Sequence, residues 1–241
     1  MSIPDELDNA RRMAFAADEI GARDVLLSLI PRIEQEDRDD LMLEVLGQLG
    51  EIYLVRGAND GVRESIRRIR DCLANYSGIA AGTMPQGAGH VRMSDAEIAH
   101  MICRYSRRAQ FLQTGLAAAL GDHEGAATAL AVLSDTDPDS DFPDLAGEHT
   151  YLRTYGQILC ATALCDDDLH VRSVPLWEQL LSGIDDFSGN SEFADYLRIA
   201  AATGYGRFCV ETGRLSEAEP RLRRAGARAQ AKGWELATAR T

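Results

Sequence analysis

The sequence predicts an all-α fold built from consecutive helical hairpins. Three observations predict it: apolar residues recur with a helical period nearly everywhere, alternating Val/Ile/Thr runs bounded by tight-turn dipeptides are missing, and small-residue turns interrupt the apolar stripes at hairpin spacing. Leu41, Val45, Leu46, Leu49, Ile52 and Tyr53 share one helix face, and Val62, Ile66, Ile69 and Leu73 share the next. Ala126, Ala129, Leu130 and Leu133 form a third stripe, and Leu215, Ala218, Leu222 and Ala225 a fourth.

Taken in order, the helices pair as 5–20 with 23–36, 40–56 with 60–75, 95–120 with 122–134, 147–165 with 169–184, and 192–212 with 216–231. All five pairs are assigned to one domain, 1–241. "YSGIAAGTMPQGAGHVRM" (76–93) is glycine-rich and aperiodic, which predicts a loop insertion. Ser94 followed by Glu97 is a capping box that starts the third pair. "SDTDPDSDFPDLAGE" (134–148) reads as an acidic loop with two prolines. "KGWELATART" (232–241) begins a new helical pattern after Gly233; it is either a capping helix or the first helix of a further unit.

Composition narrows the function classes. The net charge is -13, and residues 121–168 hold eleven acidic residues against the single base Arg153. Such a surface repels nucleic acid and anionic membranes and favours a basic or mixed-charge partner. No stretch approaches the about 18 apolar residues of a membrane span. The N-terminus lacks a basic start followed by an apolar core, so a cytoplasmic chain is expected. Cys72, Cys103, Cys160, Cys165 and Cys209 are odd in number and dispersed, unlike a disulfide framework. All but one of the 25 bases are arginine, a bias that points to a GC-rich bacterial genome.

The hairpins repeat. "LGEIYLVRGANDGVRESIRRI" places Leu49, Gly50, Tyr53, Gly57, Val62, Ile66 and Ile69 at offsets shared by Tyr205, Gly206, Cys209, Gly213, Ala218, Leu222 and Ala225. Gln113, Thr114, Ala117, Gly121, Ala126, Leu130 and Leu133 follow the same offsets, with Pro138 beyond them. The first pair aligns as Met13, Ala14, Ala17, Gly21, Leu26, Ile30 and Ile33. A fourth unit keeps Tyr155 and Gly156 but replaces its turn with "CDDDLH" and carries Pro175 in its second helix. The leading glycine is expected to let the two helices of a pair approach closely, and the turn glycine to supply a positive φ.

These offsets resemble the tetratricopeptide repeat, in degenerate form. The resemblance implies a right-handed superhelix of antiparallel helix pairs that binds a protein or peptide along the face made by the first helices. Carried over unit by unit, the family's ligand-facing positions fall on Arg11, Phe15, Glu44, Glu51, Arg108, Phe111, Arg153, Gln157 and Arg207.

Sites of other chemistry are sparse. Asp137, Asp139, Asp141 and Glu148 occupy positions 1, 3, 5 and 12 of a calcium-loop window, but Phe142 stands where that loop needs glycine. Cys160, Cys165, Asp166, Asp167, Asp168 and His170 cluster without the close Cys spacing of a zinc site; the aspartates end one helix and cap the next. The arginines at 63, 67, 68 and 70, and at 221, 223, 224 and 228, read as salt-bridged outer faces. No phosphate loop, nucleophile elbow or catalytic constellation is apparent, so neither catalysis nor a cofactor is expected. The expected function is a protein- or peptide-binding scaffold. The alternatives are the regulatory region of a larger bacterial signalling protein (a transcription activator or nucleotide cyclase) and a small-molecule-binding helical domain. A homodimer is compatible with either end of a short solenoid.

Overall fold

A computed structural model describes residues 2–85, 93–135, 142–184 and 192–234. The described residues form ten α-helices and no strand: α1 (Ile3–Phe15), α2 (Glu19–Glu36), α3 (Asp39–Val55), α4 (Asn59–Ala80), α5 (Asp95–Ala119), α6 (His123–Asp135), α7 (Ala146–Asp166), α8 (His170–Gly183), α9 (Glu192–Glu211) and α10 (Leu215–Ala231). A 3-10 turn at Pro143–Leu145 leads into α7. No helix among them is long and apolar enough to cross a membrane.

Each odd helix packs on the even helix that follows it, and each odd helix also packs on the next odd helix. The predicted capping box starts α5. Ser94 N–H donates to Glu97 Oε2 at 2.7 Å, and Glu97 N–H donates back to Ser94 Oγ at 3.3 Å. A second box, Ser2 with Asp5, starts α1.

The five hairpins share one turn. Ala17, Gly57, Gly121, Asp168 and Gly213 all have positive φ, between 59° and 76°. In each case the next residue's N–H donates to a carbonyl five residues back, as in Asp18 to Met13, Ala58 to Tyr53, Asp122 to Ala117, Leu169 to Leu164 and Arg214 to Cys209. This is the Schellman closure of a helix C-terminus.

That closure corrects the register of two units. Gly21 lies in the first turn of α2, and the first hairpin bends instead at Ala17, so α1 stops at Phe15 and not near residue 20. The fourth unit bends at Asp168. Aligned on the bend, the columns become consistent. Seven residues before it stand Ala10, Gly50, Thr114, Ala161 and Gly206, all small or short and all buried. Five after it stand Ala22, Val62, Ala126, Ser173 and Ala218, and twelve after it Leu29, Ile69, Leu133, Leu180 and Ala225, all buried.

Gly50 also acts differently from expectation. A Cβ there would lie 2.5 Å from Leu112 Cδ1 on α5, so the glycine admits the next pair, whereas Gly206 admits Leu222 of its own pair. Two loop boundaries shift as well. α4 continues through residues 76–80 of the predicted insertion and ends at Ala80, two residues before Gly82, whose φ is +68°. Ser134 and Asp135 still belong to α6, and α7 begins within the predicted acidic loop.

The bends carry a stability prediction. An L-residue held at positive φ costs about 1–2 kcal/mol relative to the right-handed region. Glycine escapes that cost but loses more chain entropy on folding. Ala17→Gly and Asp168→Gly are each expected to stabilise the fold by about 0.5–1 kcal/mol. Gly57→Ala and Gly213→Ala, where nothing lies within 4 Å of an added Cβ, are expected to do the opposite. Urea midpoints of the four variants check the signs.

Candidate functional site

α3 positions the centre of the candidate site. Every residue from Leu43 to Gly50 is buried, including the polar Glu44 and Gln48. A helix buried on both flanks between α1 and α5 has no solvent for these two side chains, so each must find protein partners.

Glu44 finds five. Arg11 Nη2 (α1) donates to its Oε1 at 2.5 Å, and Gln48 Nε2 donates to the same oxygen at 2.9 Å. Arg108 Nη1 (α5) stands 3.3 Å from Oε1, and Arg104 Nη2 stands 3.1 Å from Oε2. Tyr105 Oη donates to Oε2 at 3.1 Å. Glu148 (α7) closes the far side, accepting from Arg104 Nε at 2.7 Å and from Arg108 Nε. Glu51 accepts from Tyr151 Oη at 2.9 Å and lies 4.0 Å from Arg108 Nη1. Three guanidiniums thus meet three carboxylates across four odd helices, and the Arg108 side chain is only 3% exposed.

Burial pushes the Glu44 carboxyl upward, but the guanidiniums of Arg108, Arg104 and Arg11 outweigh it and hold the group well below the usual carboxylate range. The Glu148 carboxyl is lowered in the same way, with burial opposed by Arg108 and Arg104. The Glu51 carboxyl is raised, because burial there exceeds the attraction of Arg108.

Beside the ionic network lies an aromatic one. Phe15, at the end of α1, stacks on Tyr196 of α9 with centroids 4.6 Å apart. It meets Phe193 edge-on at 5.6 Å, Tyr151 at 6.1 Å and Trp234 at 6.3 Å. Phe15 therefore belongs to the core of the later pairs, while the rest of α1 packs with α2 and α3. The first pair and the last meet across the inner face of the odd helices.

A groove of about 1010 Å³ opens beside this junction. Arg11, Arg104 and Glu148 line it, and so do Thr150, Arg153 and Gln157 of α7. Arg11 and Arg104 are committed to carboxylates. Arg153 is exposed, and among the described residues it has no ion pair.

Compared with known proteins, the chain matches no family model, no curated sequence and no solved structure.

The residues expected at the ligand-facing positions divide into three groups. Arg11, Glu44, Glu51 and Arg108 do come together, but as one ionic network, while Phe15 and Phe111 pack on core aromatics, Phe111 stacking on Tyr155; Phe15, Glu44, Arg108 and Phe111 are buried. Arg153 and Gln157 line the groove. Arg207 is held by Asp166 at 2.5 Å and Glu211 at 2.8 Å, away from the groove. Sequence reasoning missed Gln48, Arg104, Tyr105, Tyr151, Phe193 and Tyr196. A usable signal existed: Glu44, Gln48 and Glu51, and Arg104 and Arg108, are polar groups at helical spacing inside otherwise apolar faces.

The remaining candidates resolve simply. Asp137, Asp139 and Asp141 lie outside the described residues, and the Glu148 carboxylate is engaged by two guanidiniums. No group of three His, Cys, Asp or Glu among the described residues could hold a metal. Cys160 packs with Ala117 and Ala126, while Cys165 faces Ser173 Oγ at 3.4 Å, so the two thiols sit in different cores. Burial pushes the Cys160 thiol up to about 11 and the Cys72 thiol up to about 12, which leaves little thiolate at neutral pH. Asp167 pairs with His123 Nε2 at 2.8 Å. Arg63 and Arg67 pair with acids on their own helix, as does Arg223.

Proposed function

We propose that this chain is a binding module without catalysis of its own, a right-handed solenoid of tetratricopeptide-like helix pairs that takes an extended polypeptide segment in the groove between α1, α5, α7 and α8. The observation that carries this reading is the groove itself. Its volume is at the upper end of the about 300–1,000 Å³ typical of ligand sites. One wall is fixed by the buried Arg/Glu network, so it needs little ordering when a ligand arrives. The lining offers hydroxyls and amides at Thr150, Thr154, Gln157 and Gln179, which suit the backbone groups of a peptide. Among the described residues, Arg153 is the lining cation left without an ion pair, and it favours a segment that carries at least one carboxylate among its charges.

An array of immobilised dodecamer peptides of varied charge tests the reading. The wild-type chain is expected to retain a subset containing Asp or Glu. Arg153→Glu is expected to lower the affinity for that subset about tenfold or more, equivalent to about 1.4 kcal/mol. Retention of no peptide, or binding indifferent to Arg153→Glu, would count against the groove as the peptide site.

A further inference from the structure

The arginines of α10 are not the one salt-bridged face that the sequence predicts. Arg223 is paired, with Glu219 at 2.6 Å. Arg221, Arg224 and Arg228 make no ion pair among the described residues. With Ala225 they follow at i, i+3, i+4 and i+7, so they share one face of the helix. On α9, Arg198, Ala201, Ala202 and Tyr205 repeat that spacing. Where the two faces meet, Arg198, Arg221, Arg224 and Arg228 line a pocket of about 170 Å³. The buried Ile184, Ala201 and Ala225 give it an apolar lining. None of these four cations lines the groove that holds Arg153.

The acids nearest to hand are committed elsewhere. Asp195 lies 3.8 Å from Arg198 Nη1, but Lys232 Nζ holds it more closely, at 2.6 Å. Glu217, one turn before Arg221, accepts from Tyr205 Oη at 3.0 Å and makes no ion pair with Arg221. The Arg221 guanidinium rests on the Tyr205 ring instead, 4.7 Å from its centroid, which fixes its fork. Like charges at helical spacing destabilise a helix. The dipole of α10 accounts for Arg228, in the last turn, but not for Arg221 and Arg224. An anion seated among the four guanidiniums removes their repulsion.

We propose that this pocket is a phosphate-binding site, taking either the free ion or the phosphate end of a small ester. Guanidinium forks match phosphate oxygens in pairs, and the group brings about -1.5 to -2 charges where a carboxylate brings one. The pocket is smaller than the about 300–1,000 Å³ of ordinary ligand sites, so it takes a compact group rather than a whole cofactor. The net charge of -13 does not forbid this. At physiological ionic strength charges are screened beyond about 8 Å, so the arginines govern the pocket. A long polyanion crossing the rest of the surface meets the acidic field instead.

Isothermal titration calorimetry of the full chain with inorganic phosphate, in about 0.15 M sodium chloride, tests the site. The wild type is expected to bind one equivalent with a Kd of about 1 mM or tighter. Its melting temperature should rise with phosphate at matched ionic strength. Arg224→Gln and Arg228→Gln, both at exposed positions, are expected to keep the wild-type circular dichroism and to weaken binding about tenfold each. Arg223→Gln removes the same charge from the same helix outside the pocket and is expected to leave the Kd within about twofold. Phosphoserine as a second probe separates the sources: similar affinity for both assigns the end of an ester, and binding of inorganic phosphate alone assigns the free ion. A wild type that shows neither heat nor a rise in melting temperature with either probe would overturn the proposal. So would an affinity that Arg224→Gln and Arg228→Gln leave unmoved, or one that Arg223→Gln lowers equally, since the effect would then be general screening.

Discussion

Glu44→Ala is expected to destabilise the fold by about 3–5 kcal/mol, the usual result of breaking a buried ion pair from one side. The substitution leaves Arg11 facing only Asp8 at close range, and Arg104 and Arg108 facing only Glu148 and Glu51, with Arg108 almost wholly out of water. It also orphans the Gln48 amide, which donates to Glu44, and leaves the Tyr105 hydroxyl only the Asp40 carbonyl as acceptor. Domains of this kind have about 5–15 kcal/mol of stability in total, so a loss of this size moves the urea midpoint far. Glu44→Gln keeps the shape and an acceptor and removes only the charge, so its loss should be smaller. Equal effects from the two variants would mean that packing, and not charge, makes Glu44 matter.

The same group sets a pH dependence. The Glu44 carboxyl is lowered in the folded chain from an ordinary value of 4.5, so the unfolded chain binds the proton more readily. Its contribution is fully present above about pH 4.5 and is lost as pH falls through the folded value. Glu148 acts with the same sign. Glu51, whose carboxyl is raised, acts with the opposite sign: its contribution is present below 4.5 and is lost as pH rises through its folded value. Lowered groups outnumber the raised one in the network, so acid unfolding is expected to steepen below about pH 4.5, by up to about 1.4 kcal/mol per pH unit for each proton taken up. In Glu44→Gln that slope should flatten.

The hairpins were legible because glycine marks three of the five bends, at Gly57, Gly121 and Gly213. The other two were not, because Ala17 and Asp168 adopt the same left-handed conformation without the residue that advertises it. A search keyed on glycine slid the first unit to Gly21 and kept the fourth on Gly156. The end of α4 was hidden for a related reason. "YSGIA" lacks a period, yet the helix propagates through it, with Ser77 Oγ donating back to Leu73 carbonyl oxygen at 2.8 Å, and ends at Ala80, two residues before Gly82. For the candidate site, it was the resemblance to the tetratricopeptide repeat, carried over unit by unit, that implied a shared face for Arg11, Glu44, Glu51 and Arg108. That they pair with one another depends on contacts between residues tens of positions apart, such as Glu44 with Arg108, and no local pattern encodes those.

Phe15→Ala is expected to cost about 3–5 kcal/mol, and the loss should register far from α1. Phe15 is 4% exposed and fills a site bounded by Tyr151, Phe193, Tyr196 and Trp234, which come from α7, α9 and the chain just past α10. These rigid rings cannot collapse into the space that a benzyl group leaves, so the transfer and cavity terms should both apply in full. Leu29→Ala makes the contrast. That side chain is also fully buried, but it belongs to the cluster of the first pair with α3. It should lose about 2–5 kcal/mol while sparing the C-terminal pairs locally. Amide exchange separates the two variants. Phe15→Ala is expected to raise exchange in α9 near Phe193 and Tyr196 and to shift the emission of Trp234, whereas Leu29→Ala should raise exchange in α1 and α2 first. In a linear array, where each pair touches only its neighbours, damage in the first pair should not reach the fifth without passing through the second, third and fourth. Direct transmission from Phe15 to α9, with α4 and α6 still protected, would establish that the first and last pairs stabilise each other across the inner face. Its absence would mean that the array behaves as an open one in solution, with the aromatic junction contributing little.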